Sequence, residues 1–189
     1  MELLIASNNQ HKIDEIKAIL QGKFDQIYCL ADLGIVCDPE ENGATFLENA
    51  LIKAKAVRPY TNLPILADDT GLCVDALGGQ PGIHSARYAG NHSHVENRQK
   101  LLRELEGKTD RSAHFETVVV LLYPNGKTIT ASGKACGRIL QQEDGANGFG
   151  YDSVFFSTEL NKSFGVASAE EKNAISHRGR ALRNLLQQL

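Results

Sequence analysis

Two adjacent carboxylates, Asp68 and Asp69, are the residues best suited to chemistry in this sequence. They follow an apolar run, Leu63 to Ala67, and precede Thr70 and Gly71, a turn-like pair that predicts the end of a strand. Ligands bind at strand ends in open α/β sheets, and two carboxylates ~5 Å apart repel each other by roughly 3 kcal/mol in a partly solvated site. A divalent metal ion would relieve that repulsion. The simpler alternative is that the aspartates cap a turn.

The N-terminal segment predicts a corner that could hold phosphate. An apolar strand, Leu3 to Ala6, ends in polar residues, and apolar residues then recur at helical spacing from Ile13. A helix N-terminus offers backbone N–H groups and partial positive charge to an anion. Ordinary helix capping is the alternative use of these polar side chains. The candidate residues are Ser7, Asn8, Asn9 and Lys12.

A second helix should begin after Thr45, which forms a capping-box pattern with Glu48. Lys53 lies on this helix, and an acidic residue, Glu41, precedes it. The lysine is of interest because this acid precedes the same helix. A solvated lysine is the plain alternative.

The C-terminal third combines aromatic and cationic residues. Phe149 and Tyr151 lie in a glycine-rich loop and could flank a planar ring, although both would also suit a core. Lys172, His177 and Arg178 add donors for an anion or a carbonyl-rich ring, with a charged helix start on the surface as the alternative.

Length and composition exclude several classes of protein. A chain of 189 residues with net charge −3 and no basic block argues against nucleic-acid binding. Its four cysteines show no CxxC spacing, and no apolar stretch reaches membrane length, which favours a soluble cytoplasmic protein. Two β-rich runs, Ala113 to Tyr123 and Thr128 to Ile139, flank Asn125 and Gly126 and predict antiparallel pairing within a mixed sheet.

With these pieces placed, the whole chain resembles the inosine triphosphate pyrophosphatase (HAM1-like) family of XTP/dITP diphosphatases. The motifs that carry the resemblance are Ser7-x-Asn9-x-x-Lys12, Glu41-x-Gly43-x-Thr45-Phe46-x-x-Asn49-Ala50, Asp68-Asp69-Thr70-Gly71, Asp75-Ala76-Leu77-Gly78-Gly79, Pro81-Gly82, Ser85-Ala86-Arg87-Tyr88, Gly148-Phe149-Gly150-Tyr151-Asp152, Glu171-Lys172-Asn173 and Ser176-His177-Arg178-Gly179.

The resemblance implies Mg²⁺-dependent hydrolysis of the nucleoside triphosphates ITP, dITP and XTP to the monophosphate and pyrophosphate. It implies an elongated single α/β domain, residues 1–189, around a long mixed β-sheet flanked by helices, usually as a homodimer. Asp69 would be the general base, and Glu41 with Asp69 would hold the metal. The residues implied to contact the phosphates are Ser7, Asn8, Asn9, Gln10, His11, Lys12 and Lys53, and those implied to contact the base are Phe149, Gly150, Tyr151, Asp152, Lys172, His177 and Arg178, with Thr70 nearby.

Two positions depart from the family pattern. Ser153 replaces a usual proline, which we expect to loosen the loop before it, and Gly165-Val166-Ala167 replaces a segment that is commonly Ala-Glu-Leu. Two other functions remain open at this point: a pyrophosphatase for pyrimidine nucleotides, and a nucleotide sensor without catalysis.

Overall fold

The computed structural model describes all 189 residues as an α/β fold with one seven-stranded mixed sheet. The strands lie in the order β2-β1-β3-β4-β5-β6-β7. Their bounds are β1 Glu2–Ile5, β2 Gln26–Cys29, β3 Ile65–Val74, β4 Ser112–Leu122, β5 Thr128–Ile139, β6 Phe155–Ser157 and β7 Lys162–Ser163. The helices are α1 Gln10–Ile19, α2 Phe46–Val57, α3 His94–Glu104, α4 Ala169–Ile175 and α5 His177–Leu186. The α/β class and the mixed sheet are confirmed.

The chain forms two compact units, each assembled from separate segments. Unit 1 comprises Met1–Asp69, Thr117–Gly133 and Arg178–Leu189, and unit 2 comprises Thr70–Glu116 and Lys134–His177. A single domain over residues 1–189 stays a prediction. No helix is both long and apolar enough to cross a membrane.

Unit 1 buries both faces of its central strands. β1 pairs in parallel with β2 and with β3. Alternate residues of β1 enter two different hydrophobic clusters, which explains its continuous apolar sequence. The first cluster packs β1 against α1 and α5, and the second packs it against α2. The helix residues in these clusters are Ile13, Ile16, Ala181, Leu182 and Leu185 in the first and Ala50, Ala54 and Val57 in the second.

Unit 2 has one hydrophobic cluster, with three phenylalanines near its centre. Phe115 lies 4.7 Å from Phe155 and 6.0 Å from Phe164, measured between ring centroids. The strands β5, β6 and β7 pair antiparallel around this cluster. Such aromatic contacts add to the burial energy of the rings themselves.

The prediction that Thr70 and Gly71 end the strand is wrong. β3 continues through them to Val74, so Asp68 and Asp69 lie within a strand of ten residues. The strand continues because Leu72 and Val74 bury their side chains in the cluster of unit 2. The turn-capping interpretation of the two aspartates is therefore wrong as well.

Candidate functional site

Asp68 is the centre of a buried ion network in unit 1. Its carboxylate lies 3.1 Å from Lys12 Nζ and 3.3 Å from Arg178 Nη2, and the guanidinium of Arg178 also contacts Glu15. Burial alone would raise the pKa of Asp68, but Lys12 and Arg178 outweigh it and hold that pKa far below its ordinary range. Asp68 is therefore a permanent anion. It joins α1 and α5 to β3.

The other members of the network respond to burial in different ways. Burial lowers the pKa of Lys12 by more than the attraction of Asp68 raises it. For Arg178, the carboxylates of Asp68 and Glu15 outweigh burial, and the pKa lies above its ordinary value. Lys12 is thus the member whose charge is least favoured and which would gain most from an added anion.

The residues before Lys12 cap and brace helix α1. Asn9 is the N-cap, and its side chain accepts from Lys12 N at 3.3 Å. Ser7 Oγ accepts from Asn9 N, and Asn8 donates to the carbonyl oxygen of Cys37 at 2.9 Å. The capping interpretation is confirmed for Asn9, whose side chain accepts from a backbone N–H of the first turn of α1. Phosphate binding here stays a prediction.

Asp69 has a different set of partners from its neighbour. Lys53 Nζ lies 3.2 Å from Asp69 Oδ1 and 2.9 Å from Glu41 Oε2, so one ammonium bridges both predicted metal ligands. Asn49 donates to Asp69 Oδ2 at 3.2 Å. Burial raises the pKa of Asp69 despite the opposing effects of Lys53 and Lys12. The two aspartates thus differ in charge environment although they are adjacent.

Helix α2 supplies two of the partners of Asp69, and the position of its N-cap and the spacing of its residues explain why. Thr45 caps the helix by accepting from Glu48 N, and Asn49 and Lys53 then fall four residues apart on one face. Asn49 also accepts from Gly43 N at 2.9 Å, which fixes the chain leading from Glu41 to the helix. The interpretation of Lys53 as a solvated lysine is wrong, since it is enclosed by acids.

The carboxylates of Glu41 and Asp69 fit a hard divalent cation. Both offer oxygen donors, and both already converge on one positive charge, the ammonium of Lys53. The carboxylates together raise the pKa of Lys53 above its ordinary value, even though burial opposes this. The site therefore selects for positive charge.

In unit 2, Asp152 and Lys172 form a buried pair beside an aromatic ring. Lys172 Nζ lies 2.6 Å from Asp152 Oδ2 and 4.8 Å from the ring centroid of Phe149. The same carboxylate oxygen accepts from Phe149 N at 2.8 Å. A side chain at Gly148 would approach Asp152 Oδ2 to 2.1 Å, so glycine is required there. These contacts hold a ring and an ammonium side by side.

The remaining residues predicted to contact the base are placed in different surroundings. Tyr151 is buried in the hydrophobic cluster of unit 2 and donates to Ser85 O at 2.7 Å, so the core interpretation is correct for it. His177 is buried and stacks on Phe115 at 4.6 Å. Arg178 belongs to the ion network of unit 1. The interpretation of these cations as an exposed helix start is wrong, because Lys172, His177 and Arg178 are all buried.

The two departures from the family pattern lie against each other. Ser153 donates to Glu143 at 3.0 Å, and Gly165 packs so closely that a Cβ there would lie 2.8 Å from Ser153 Cα. Arg98 contacts both Glu143 and the carbonyl oxygen of Gly150. Ser153 thus makes a hydrogen bond beside the loop, and the expected loosening of the loop stays a prediction.

Three residues that contact the predicted site residues or their loop were not predicted from the sequence: Glu15, Arg98 and Glu143. Glu15 lies three residues after Lys12 on one helix face, a spacing that could have indicated it. Arg98 and Glu143 are 45 residues apart, and no local pattern relates them.

Substitution of the two aspartates should have unequal consequences for stability. Asp68→Asn leaves Arg178 and Lys12 without their shared buried anion, and we expect the free energy of unfolding to fall by about 3–5 kcal/mol. Asp69→Asn should cost much less, because burial already disfavours this carboxylate when no metal is added. Urea denaturation at neutral pH with chelator measures both. Equal losses would contradict the division of roles.

The geometry can be compared with known proteins. A model of the Ham1 family matches residues 3–188. The dITP/XTP pyrophosphatase of Clostridium perfringens is 47% identical, covering 97% of this chain and 95% of its own. That of Leuconostoc mesenteroides is 46% identical, covering 98% of this chain and 94% of its own.

Solved structures agree with the sequence relatives. The Ham1 protein of Staphylococcus aureus has a TM-score of 0.88 at 42% identity and covers 100% of this chain and 97% of its own. A HAM1 protein from Coxiella burnetii has a TM-score of 0.89 at 38% identity, covering 100% and 98%. With a family match over nearly every residue, and relatives of this similarity, the chain belongs to the Ham1 family.

Proposed function

We propose that this protein hydrolyses the non-canonical purine nucleoside triphosphates ITP, dITP and XTP to the monophosphate and pyrophosphate. The observation that carries the proposal is the convergence of Glu41 and Asp69 on one positive charge, the ammonium of Lys53. Relatives named dITP/XTP pyrophosphatases at 47% and 46% identity support the choice of substrate. Removal of such nucleotides would keep deaminated purines out of the nucleotide pool.

The phosphates are assigned to unit 1. Lys12, Lys53 and the start of α1, residues Ser7 to His11, offer positive charge and N–H donors. Such groups suit a triphosphate, whose charge must be neutralised before its anhydride bond is cleaved. Glu41 and Asp69 would hold Mg²⁺, which when bound supplies further neutralisation of phosphate charge.

Asp69 is assigned as the general base, which accepts a proton from the attacking water. A base works best when its pKa approaches the operating pH, and burial moves the pKa of Asp69 in that direction. Asn49 fixes the carboxylate through Oδ2 and Lys53 through Oδ1. The proton is thus taken by a group whose orientation is set before substrate arrives.

The purine base is assigned to unit 2. The ring of Phe149 offers a stacking surface, and Lys172 offers a donor to an oxygen at the 6-position of the base. A 6-amino group cannot accept that hydrogen bond, so ATP would leave a buried donor unsatisfied. Tyr151, Asp152 and Gly150 shape the loop, and His177 and Arg178 stay assigned as contacts of the base, as the resemblance implies, with Thr70 nearby.

We also infer a homodimer from the family resemblance. Light scattering of the purified full chain should give about twice the mass of one 20.6 kDa chain, and a monomer would contradict it.

The first test measures pyrophosphate released from ITP, XTP, dUTP, GTP and ATP, with Mg²⁺ and with chelator. Rapid release from ITP and XTP that requires Mg²⁺ is expected. Asp69→Asn should lower kcat by about 10²–10⁴-fold while ITP still binds, because the general base and one carboxylate ligand of Mg²⁺ are lost but the lysines and Phe149 remain. Asp110→Asn, which changes an exposed aspartate, is the matched control.

The outcomes of this test separate the alternatives. ITP binding without release by the unaltered protein would favour a nucleotide sensor. A preference for dUTP would favour a pyrimidine pyrophosphatase. Full turnover in Asp69→Asn would exclude Asp69 as the base.

Lys172→Met tests the selectivity between bases. The ratio of kcat/KM for ITP over ATP should fall by about ten-fold or more, since the donor to the 6-oxygen is gone. Lys162→Met, which removes a half-exposed lysine bound to Glu171, is the control and should keep the ratio. Because Lys172→Met leaves Asp152 buried without its cation, a Lys172→Met/Asp152→Asn double variant should show the same loss. An unchanged ratio in both would contradict the assignment.

A further inference from the structure

Unit 2 carries a group of metal-ligating side chains that nucleotide hydrolysis does not use. Cys73, His114 and Glu116 each offer one ligand atom, and these atoms all lie within 4.8 Å of one another. His114 Nε2 and Glu116 Oε2 are 3.8 Å apart. All three residues are half-buried, so an ion from solvent can reach them.

Adjacent strands of the sheet bring these three side chains together. His114 and Glu116 are two residues apart on β4 and therefore project from the same face. Cys73 lies on β3, the neighbour of β4, and its backbone forms a bridge with Pro81. The intervening residue Phe115 points into the hydrophobic cluster. The three donor residues therefore lie at fixed positions on the neighbouring strands β3 and β4.

The donor set combines a thiol, an imidazole and a carboxylate. We propose that Cys73, His114 and Glu116 bind a divalent transition-metal ion of the Zn²⁺ class, with one coordination position left for water. Zn²⁺ accepts all three ligand types in tetrahedral geometry, whereas Mg²⁺ prefers oxygen alone. Bonds of about 2.0–2.3 Å put the donors of such a site roughly 3.3–3.7 Å apart. To bind such an ion, the three ligand atoms must move closer together by roughly 1 Å, which small side-chain rotations achieve.

Lys134 competes with a metal ion at this site. Its ammonium lies 3.2 Å from Glu116 Oε2, yet its side chain is 54% exposed and can turn toward solvent. Deprotonation of the thiol is a second cost of metal binding. Burial, and to a smaller extent the charge of Glu116, raises the pKa of Cys73. A metal ion offsets that cost because a coordinated thiol is deprotonated. Removal of Lys134 should therefore tighten binding.

Co²⁺ is the probe for the first experiment because thiolate coordination gives it a charge-transfer band in the near ultraviolet. The full chain, reduced and free of nucleotide, is titrated with Co²⁺ and then with Zn²⁺ as competitor. We expect a band that Zn²⁺ removes and that Mg²⁺ at the same concentration leaves in place. Oxygen ligands such as Glu41 and Asp69 cannot produce this band, so failure here leaves the proposed hydrolysis untouched.

Variants assign the band to its ligands. Cys73→Ser should abolish it, and His114→Gln and Glu116→Gln should each weaken Co²⁺ binding by at least about ten-fold. Lys134→Met should tighten binding several-fold. Cys136→Ser, which changes an exposed cysteine of β5, is the matched control and should bind as the unaltered chain does. The proposal is overturned if no band forms, if it persists in Cys73→Ser, or if it is lost in Cys136→Ser.

Discussion

Two carboxylates within one buried strand impose the main electrostatic constraint on this protein. Asp68 and Asp69 cannot both be ionised inside unit 1 without positive partners, since buried charges are costly unless they are paired. The chain meets this requirement from three elements: Lys12 on α1, Lys53 on α2 and Arg178 on α5. The positions of these helices on β3 are therefore coupled to the charges of the strand.

The same constraint makes the two aspartates differ in how strongly their charges are stabilised. Asp68 has two close cations, one of which is also held by Glu15, and its charge is fixed. Asp69 shares a single ammonium with Glu41, and its charge is the less stabilised of the two. A base must exchange protons and a metal ligand must accept a new cation, so only Asp69 has room for either task. Its neighbour supplies the rigid charge against which it is positioned.

The sequence predicts much of this arrangement, and the failures have physical causes. The cap predicted at Thr45 is present because it depends on a contact with Glu48, three residues further along the chain. The predicted end of β3 is wrong because the local turn preference of Thr70 and Gly71 is outweighed by the burial of the next strand residues, Leu72 and Val74. Local patterns report local contacts.

Contacts between residues far apart in the sequence cannot be predicted from such local patterns. The contact of Glu15 with Arg178 spans 163 residues, and the helical spacing that places Glu15 near Lys12 does not identify Arg178 as its partner. The residues assigned to metal and phosphate were named through the family resemblance, and the structure adds that Lys53 lies between Glu41 and Asp69. The resemblance indicates which residues form the site. The structure then distinguishes Asp68 from Asp69, because different side chains contact each of them.

Unit 2 applies the same principle to selectivity. Asp152 fixes Lys172 through one short contact and accepts from Phe149 N with the same oxygen, so ring and ammonium are oriented together. An ammonium has three donors, and Asp152 accepts from one of them. Under the proposed function, an oxygen at the 6-position of the base accepts a hydrogen bond from Lys172, whereas a 6-amino group would bring a second donor against it. The selectivity that we propose would then come from the cost of a hydrogen bond left unmade, and Asp152 would keep that cost high by holding Lys172 in place.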